Sequence, residues 1–188
     1  MKIEIKKGAY VVFKLLNISY KDIMKVIFLD IDGVLNSDEY FDKIRNLNIQ
    51  GIQSEIDVEK IKLLKKAIDE TGAKVVLSSS WRYTKNAQYL KELLANFEIY
   101  TDSTPFMKGV RGLEIKQWLL NNQGVEDFVI LDDEIFDSYD EELIKKLIKI
   151  SNGNGHNFGE GLLPKDIDEI IKRLGKKKER KEEENLER

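Results

Sequence analysis

The stretch that decides the fold is Val26-Ile27-Phe28-Leu29-Asp30-Ile31-Asp32-Gly33, in which an apolar run ends at two aspartates and a glycine. Four consecutive apolar residues are typical of a strand that is buried on both faces of a sheet. In an extended strand residues i and i+2 point the same way, so the carboxylates of Asp30 and Asp32 would face one spot. Two like charges held together require a cation, a shared proton, or both. The alternative is a solvent-exposed acidic turn that follows a core strand.

Composition narrows the class of protein. The chain has 188 residues and a formal net charge of −3, with 35% charged residues. This length fits one domain of ordinary size. The charge gives no reason to expect general nucleic-acid or membrane binding, although it does not exclude a local basic groove. The absence of cysteine excludes disulfides and thiolate metal sites, and it fits a cytoplasmic protein. No apolar stretch approaches the roughly 20 residues of a membrane span.

The chain divides into three parts. Residues 1–23 form an N-terminal extension that is either an added hairpin or a loosely attached leader. Residues 24–175 carry the repeating pattern of a single domain. Residues 176–188 are nearly all charged or amide residues, and they either lengthen the last helix or stay disordered.

From Met24 onward, strand and helix patterns alternate. Asp57 is a suitable N-cap and Gly72 a suitable C-terminal stop for one of the helices. A segment that reads as a helix followed by a strand lies at 143–150. The predicted strands are 25–30, 74–77, 97–100 and 128–131, and the predicted helices are 58–71, 86–95, 114–120 and 164–174. This alternation predicts an α/β fold with a parallel sheet covered on both faces, a three-layer α/β/α sandwich.

Polar residues follow three of the predicted strands. Asp30 and Asp32 come after the first strand, Ser78 to Ser80 after the second, and Asp132 and Asp133 after the strand at 128–131. The carboxyl ends of parallel strands meet at one edge of a sheet, which is where open α/β sheets bind their ligands. The convergence favours a binding site over an exposed acidic turn.

Four motifs occur in a fixed order on these strand ends. They are Asp30-Ile31-Asp32-Gly33-Val34, Val75-Val76-Leu77-Ser78, a cation at Lys108 or Arg111, and Leu131-Asp132-Asp133. On these residues the chain resembles the haloacid dehalogenase (HAD) superfamily of phosphotransferases. Ser79-Ser80-Trp81-Arg82 looks like a subgroup of small HAD domains, some of which are found in RNA-repair proteins. The resemblance implies a Rossmann-like sheet, and the connecting segments are too short for a large cap domain.

The resemblance implies a role for each acidic residue. Asp30 would attack phosphorus and form an aspartyl-phosphate. Asp32 would protonate the leaving oxygen and then take a proton from the attacking water. Mg²⁺ would lie among Asp30, the backbone carbonyl of Asp32, and Asp132 or Asp133, with water completing an all-oxygen shell.

The remaining candidates would bind the phosphoryl group or the rest of the substrate. Ser78 would hydrogen-bond a phosphoryl oxygen, with Ser79 as the alternative, and the glycine of the first motif, Gly33, is assigned to substrate binding. Lys108 or Arg111 would offset the phosphoryl charge. Arg82 could grip a second phosphate while Trp81 stacks on a base. In the other interpretation, Trp81 packs under the loop and Arg82 covers it.

The function expected from this set is Mg²⁺-dependent hydrolysis of phosphomonoesters. By analogy, an open site without a cap suits large phosphorylated substrates, such as a nucleic-acid end, or a nucleotide. The residues 38–53 could form a short flap over it. Two alternatives stay open, a phosphatase of small metabolites with the same mechanism and a non-catalytic HAD-like binding module. A receiver domain fits less well, because the strand 74–77 offers no aspartate at its end. An Asp-x-Asp glycosyltransferase would need neither the serines nor Asp132-Asp133.

Overall fold

The computed structural model describes residues 24–48, 55–84, 86–150 and 158–175. The predicted extension 1–23 and the predicted tail 176–188 lie outside these residues. Within the described part of the chain, no helix is both long enough and apolar enough to cross a membrane.

Five parallel strands form the centre of the domain. Their order in the sheet is β3-β2-β1-β4-β5. The chain adds β2 and β3 on one side of β1 and then β4 and β5 on its other side. The point where the strand order reverses, the switch point, therefore lies between β1 and β4. The strands are β1 (Met24–Leu29), β2 (Lys74–Leu77), β3 (Thr101–Ser103), β4 (Val125–Asp132) and β5 (Leu147–Lys149). The predicted parallel α/β sheet is confirmed.

Helices connect the strands and cover both faces of the sheet. The helix at 58–71 has the predicted bounds, because the Asp57 side chain accepts a hydrogen bond from the Glu59 amide (2.9 Å) and Gly72 ends the helix at a φ of +69°. The helices are α1 (Asp38–Asn46), α2 (Val58–Thr71), α3 (Ala87–Ala95), α4 (Arg111–Asn121), α5 (Glu141–Lys146) and α6 (Pro164–Leu174), with a short 3₁₀ helix at Ser80–Tyr83.

Alternate residues of the central strands enter two separate cores. Ile27 and Leu29 of β1 pack with the apolar faces of α2, α3 and α6. Val26 and Phe28 of the same strand point the other way and pack with α4 and α5. This alternation is the period of a strand buried on both faces, and it yields the predicted three layers.

One predicted strand is misplaced. The sequence predicts a strand at Phe97–Tyr100, whereas the structure has β3 at Thr101–Ser103. The preceding helix is still ending here, since the amides of Glu98 and Ile99 bond back to the carbonyls of Ala95 and Leu94 at 2.9 and 3.0 Å. The apolar residues at 97 and 99 therefore pack from the turn after α3 rather than from a strand.

The connections at the carboxyl edge of the sheet are small. In the described residues, the connection from β1 to α2 contains only α1, which lies within the segment expected to form a short flap. The connection from β2 to α4 contains the 3₁₀ helix, α3 and β3. The described part of the chain therefore has no large cap domain, as predicted.

Candidate functional site

The carboxyl ends of β1 and β4 bring together three buried aspartates. Asp30 follows β1, Asp132 ends β4, and Asp133 is the next residue. Their side chains each offer one carboxylate oxygen, and these three oxygens lie within 4.8 Å of one another. The three residues are 6%, 0% and 3% exposed, so little solvent is available to screen their mutual repulsion. The site lies at the switch point, where an open α/β sheet binds its ligand.

Within the part of the chain that the structure describes, one arginine contacts these aspartates. Arg111 begins α4, and its Nη1 atom lies 3.0 Å from Asp30 Oδ1 and 2.7 Å from Asp132 Oδ2. The guanidinium carbon also lies 4.6 Å from the centre of the Phe136 ring, a cation–π contact that helps to fix its position. One positive charge therefore faces three carboxylates.

The surplus of negative charge changes the protonation of the group. Burial, and then the charge of Asp30, raise the pKa of Asp132 to about 7 and that of Asp133 to about 6. Burial favours loss of the Arg111 proton, but the charges of Asp30 and Asp132 outweigh it and hold the pKa of Arg111 above its ordinary value. A cation bound beside these carboxylates would favour their ionised forms and so offset their mutual repulsion.

Two buried polar atoms of the site have no hydrogen-bond partner in the described residues. They are Ser78 Oγ and Asp133 Oδ2. Buried polar atoms are almost always paired, so unpaired ones mark places where a ligand or ion would bind. Gly33 makes the Asp133 position possible, because a Cβ at Gly33 would lie 2.4 Å from the Asp133 carboxyl carbon. Gly33 also has a φ of +69°, which favours glycine.

Asp32 lies beside this group but makes different contacts. Its Oδ1 accepts a hydrogen bond from Asn36 Nδ2 at 3.0 Å, and its Oδ2 accepts one from Trp81 Nε1 at 2.9 Å. Asp32 is more exposed than the three clustered aspartates. Asp32 is thus a partly buried carboxyl held in a fixed direction, whereas the oxygens of the other three aspartates lie close to one another.

Arg82 is occupied by an ion pair with Glu114. Its guanidinium contacts the Glu114 carboxylate and the Ser79 carbonyl, and its Nε donates to the Thr104 carbonyl at 3.3 Å. The side chains of Arg82 and Glu114 are only 3% and 2% exposed. The structure therefore places Arg82 inside the protein, where it ties the loop after β2 to α4, and Trp81 is buried beside it.

The other predicted residues lie at varying depth. Ser79 is buried, and its Oγ accepts a bond from the Trp81 amide at 3.4 Å, so it caps the 3₁₀ helix. Lys108 is exposed in the turn before α4, with a φ of +57°. Of the two candidate cations, the structure brings Arg111 into the cluster of aspartates and leaves Lys108 at the surface.

Sequence reasoning missed three residues of the site. Asn36 is fully buried and bonds Asp32, Glu114 pairs with Arg82, and the Tyr139 hydroxyl lies 3.2 Å from Asp132 Oδ2. Burial and the charge of Asp132 raise the pKa of Tyr139, which keeps its hydroxyl as a hydrogen-bond donor. Only Asn36 had a local sequence signal, because it is a polar residue four positions after Asp32. The contacts of Glu114 and Tyr139 depend on the tertiary fold.

The donor set fits a small divalent cation. All three clustered groups are carboxylates, and hard cations such as Mg²⁺ prefer oxygen ligands. The oxygen of Asp133 that has no partner among the described residues supplies a free ligand for such an ion. With no nitrogen or sulfur donor in the group, a soft-metal site is a poor match.

Comparison with known families agrees with this geometry. Residues 26–156 match the model of a family described as the HAD domain in Swiss Army Knife RNA repair proteins. The chain belongs to this HAD family. The matched residues include β1 to β5 except for Met24 and Lys25, and they contain every aspartate, serine and arginine of the site. The family points to phosphatase-type chemistry. Searches of curated proteins and of solved structures gave no significant match.

Proposed function

We propose that this HAD domain is a Mg²⁺-dependent phosphomonoester hydrolase that works through an aspartyl-phosphate on Asp30. The observation that carries the proposal is the buried group of Asp30, Asp132 and Asp133 around one arginine, with an unpaired serine hydroxyl directly after the neighbouring strand β2. Asp132, Asp133 and Asp30 would hold the ion. Mg²⁺ would neutralise the carboxylates and the phosphoryl oxygens, which otherwise repel one another.

In the first step a carboxylate oxygen of Asp30 attacks phosphorus. The bond from phosphorus to the ester oxygen breaks, and Asp32 gives its proton to that oxygen, so the alcohol leaves neutral. Asp30 needs no base to become a nucleophile, because a carboxylate carries the attacking electron pair without losing a proton in the step. Arg111 contacts Asp30 and would draw the negative phosphoryl oxygens toward it.

In the second step water releases the phosphate. Asp32, now ionised, takes a proton from the water as the water oxygen attacks phosphorus and the bond to Asp30 breaks. Ser78 lies at the end of β2, and its free hydroxyl would donate to a phosphoryl oxygen in both steps. Asp30 and the protonated Asp32 are regenerated, so protons and charge balance over the cycle.

The substrate class proposed is the terminal phosphate of a nucleic acid or a nucleotide. Two observations support it. The family carries a description as a domain of RNA repair proteins. The described residues have no large cap over the carboxyl edge of the sheet, so an extended substrate would have access to it. Phosphorylated metabolites are the competing substrates.

The experiment compares wild type with Asp30→Asn on an aryl phosphate in the presence of Mg²⁺. Because the amide is a poor nucleophile, we expect no measurable hydrolysis by the variant and an unchanged circular dichroism spectrum. Asp127→Asn is the matched control, since Asp127 lies toward the other end of β4 and pairs with Lys146 at the surface. Full activity of Asp30→Asn would contradict the mechanism.

A substrate panel then tests the class. Phosphorylated RNA and DNA oligonucleotides, free nucleotides and sugar phosphates are compared by kcat/KM. The proposal expects the highest values for phosphorylated ends or nucleotides. The highest values for sugar phosphates would instead establish a metabolite phosphatase with the same mechanism.

A further inference from the structure

Asp32 is held by two side-chain donors, one on each oxygen. Trp81 Nε1 lies 2.9 Å from Oδ2, and Asn36 Nδ2 lies 3.0 Å from Oδ1. Both bonds are of ordinary length for N–H donors. Asp32 is partly buried, so these bonds replace part of its hydration, and they act on both of its oxygens. Because one donor lies on each oxygen, the two bonds also restrict the direction of this carboxyl.

The Asn36 amide has only one orientation that satisfies its neighbours. Its Oδ1 accepts a hydrogen bond from the Gly33 amide at 2.8 Å, so its Nδ2 must face Asp32. The same Nδ2 also donates to the Glu55 carbonyl at 3.2 Å. Since Asn36 is fully buried, water does not compete for these bonds. The loop after β1 thus presents a fixed donor to Asp32.

Trp81 is fixed in a similar way from the other side. Its ring belongs to the core that packs against α2, α3 and α6, and it is 7% exposed. Its backbone carbonyl accepts from the Thr84 amide (3.1 Å) and hydroxyl (2.9 Å), and the adjacent Arg82 is locked by Glu114. The indole N–H is therefore held toward Asp32 by the core and by the 3₁₀ helix.

We propose that Trp81 and Asn36 are positioning residues that aim the proton of Asp32 at the leaving oxygen, an inference that rests on the function proposed above. An indole N–H and an amide N–H can only donate. Each must meet a lone pair of Asp32, so the proton of the acid is confined to the positions that these donors leave free. The carboxyl then delivers its proton in one direction. In this proposal Trp81 orients Asp32 and does not bind the substrate.

The test is the dependence of rate on the leaving group. Trp81→Phe keeps the aromatic ring and removes the N–H donor. For an alkyl phosphate the leaving oxygen needs a proton, whereas p-nitrophenolate leaves without one. General acid catalysis is worth roughly 10²–10⁴-fold, so we expect the loss in kcat/KM to be at least about tenfold greater for the alkyl phosphate than for p-nitrophenyl phosphate. KM should change little, since Trp81 does not contact the substrate in this account.

Trp118→Phe is the matched control. The Trp118 indole is 6% exposed and donates to Asp102 Oδ2 at 2.8 Å, but it lies in the other core. Trp118→Phe therefore removes a tryptophan–aspartate hydrogen bond of the same kind, but away from the site. We expect Trp118→Phe to affect both phosphate esters equally. An equal loss for both esters in Trp81→Phe as well would overturn the proposal, because it would indicate a structural role alone.

A double-mutant cycle with Asp32→Asn supplies the second readout. If Trp81 acts through Asp32, Trp81→Phe lowers kcat/KM on the alkyl phosphate in the wild-type background but causes no further loss when it is added to Asp32→Asn. An additive loss contradicts the inference. Should Trp81→Phe not fold, Asn36→Ser carries the same comparisons, because it removes the amide donor to Asp32 without placing a new charge beside that carboxyl. Wild type that hydrolyses neither ester would contradict the proposed function itself.

Discussion

Arg82 and Arg111 are both buried and both contact carboxylates, but their charges are balanced differently. Arg82 faces one carboxylate, Glu114, which also accepts from the Met107 amide at 2.9 Å and the Tyr83 hydroxyl at 3.3 Å. Arg111 faces Asp30 and Asp132 directly, and Asp133 lies in the same group. The first pair is neutral and has its partners, whereas the second group has excess negative charge and an unpaired oxygen.

This difference indicates which arginine supports the fold and which serves the reaction. A neutral, fully bonded pair has nothing to offer a phosphate, because any new contact would break an existing one. A group with surplus carboxylates gains from a cation, and its arginine already lies beside Asp30, the residue proposed to receive the phosphoryl group.

The largest expected difference is in activity. Replacing Arg111 with Met should lower kcat/KM on an aryl phosphate by about 10²–10³-fold, the usual cost of removing a group that stabilises developing negative charge. Arg82→Met should retain most of the activity per folded molecule. The measurement is kcat/KM with the folded fraction determined by circular dichroism. A comparable loss in folded Arg82→Met would establish that Arg82 binds the substrate, as one interpretation of the sequence holds.

For stability, we expect a substitution beside Arg82 to have a larger effect than one beside Arg111. Glu114→Gln leaves the Arg82 charge buried without its partner, so the free energy of unfolding should fall by about 3–5 kcal/mol. Asp30→Asn removes one of three repelling carboxylates and should not lower the stability of the metal-free protein. Urea unfolding in the presence of a chelator measures both. A larger destabilisation by Asp30→Asn than by Glu114→Gln would contradict the assignment of Arg82 to the fold and Arg111 to the reaction.

Mg²⁺ should stabilise the protein through the aspartates around Arg111. A ligand present at 100 times its Kd stabilises a protein by about 2.7 kcal/mol, so saturating Mg²⁺ should raise the Tm of wild type by several degrees. Asp133→Asn should lose most of this rise, because it removes the free carboxylate oxygen of the cluster. Asp127→Asn, at the other end of β4, should keep it. An undiminished rise in Asp133→Asn would exclude that residue as a ligand.

The smallest effect expected is a dependence of stability on pH. Burial and the charge of Asp30 raise the pKa of Asp133 to about 6 in the metal-free fold, against an ordinary value near 3.9. Between these values the folded state binds more protons than the unfolded chain, so the free energy of unfolding falls as pH rises from about 4 to about 6. Asp133→Asn should show a shallower fall in a chelator. Parallel curves for wild type and variant would contradict a raised pKa at this residue.

Local patterns predicted the parts of the fold that depend on neighbouring residues. The bounds of α2 were predicted correctly because Asp57 and Gly72 cap it through their own backbone neighbours. The strand expected at 97–100 was wrong, since an apolar run at a helix end resembles a short strand. The positions of the aspartates and serines on strand ends followed from the parallel sheet.

The partners of the site residues could not be predicted in the same way. Arg82 and Glu114 are separated by 31 intervening residues, and only the packing of α4 beside the loop after β2 brings them together. The contact of Trp81 with Asp32 likewise joins residues 49 positions apart. Sequence motifs identify the residue types that chemistry requires, but the charge balance that separates Arg111 from Arg82 exists only in the folded chain.

The most direct test of the account is to trap the phosphoryl group on the protein. Asp32→Asn should still accept a phosphoryl group from p-nitrophenyl phosphate, which needs no acid, but it should release it slowly because the base for water is missing. After an acid quench, mass spectrometry of the peptide that contains residue 30 should find the phosphoryl group on Asp30. Turnover without any protein-bound phosphate, or a phosphoryl group on another residue, would contradict the assignment of Asp30 as the nucleophile.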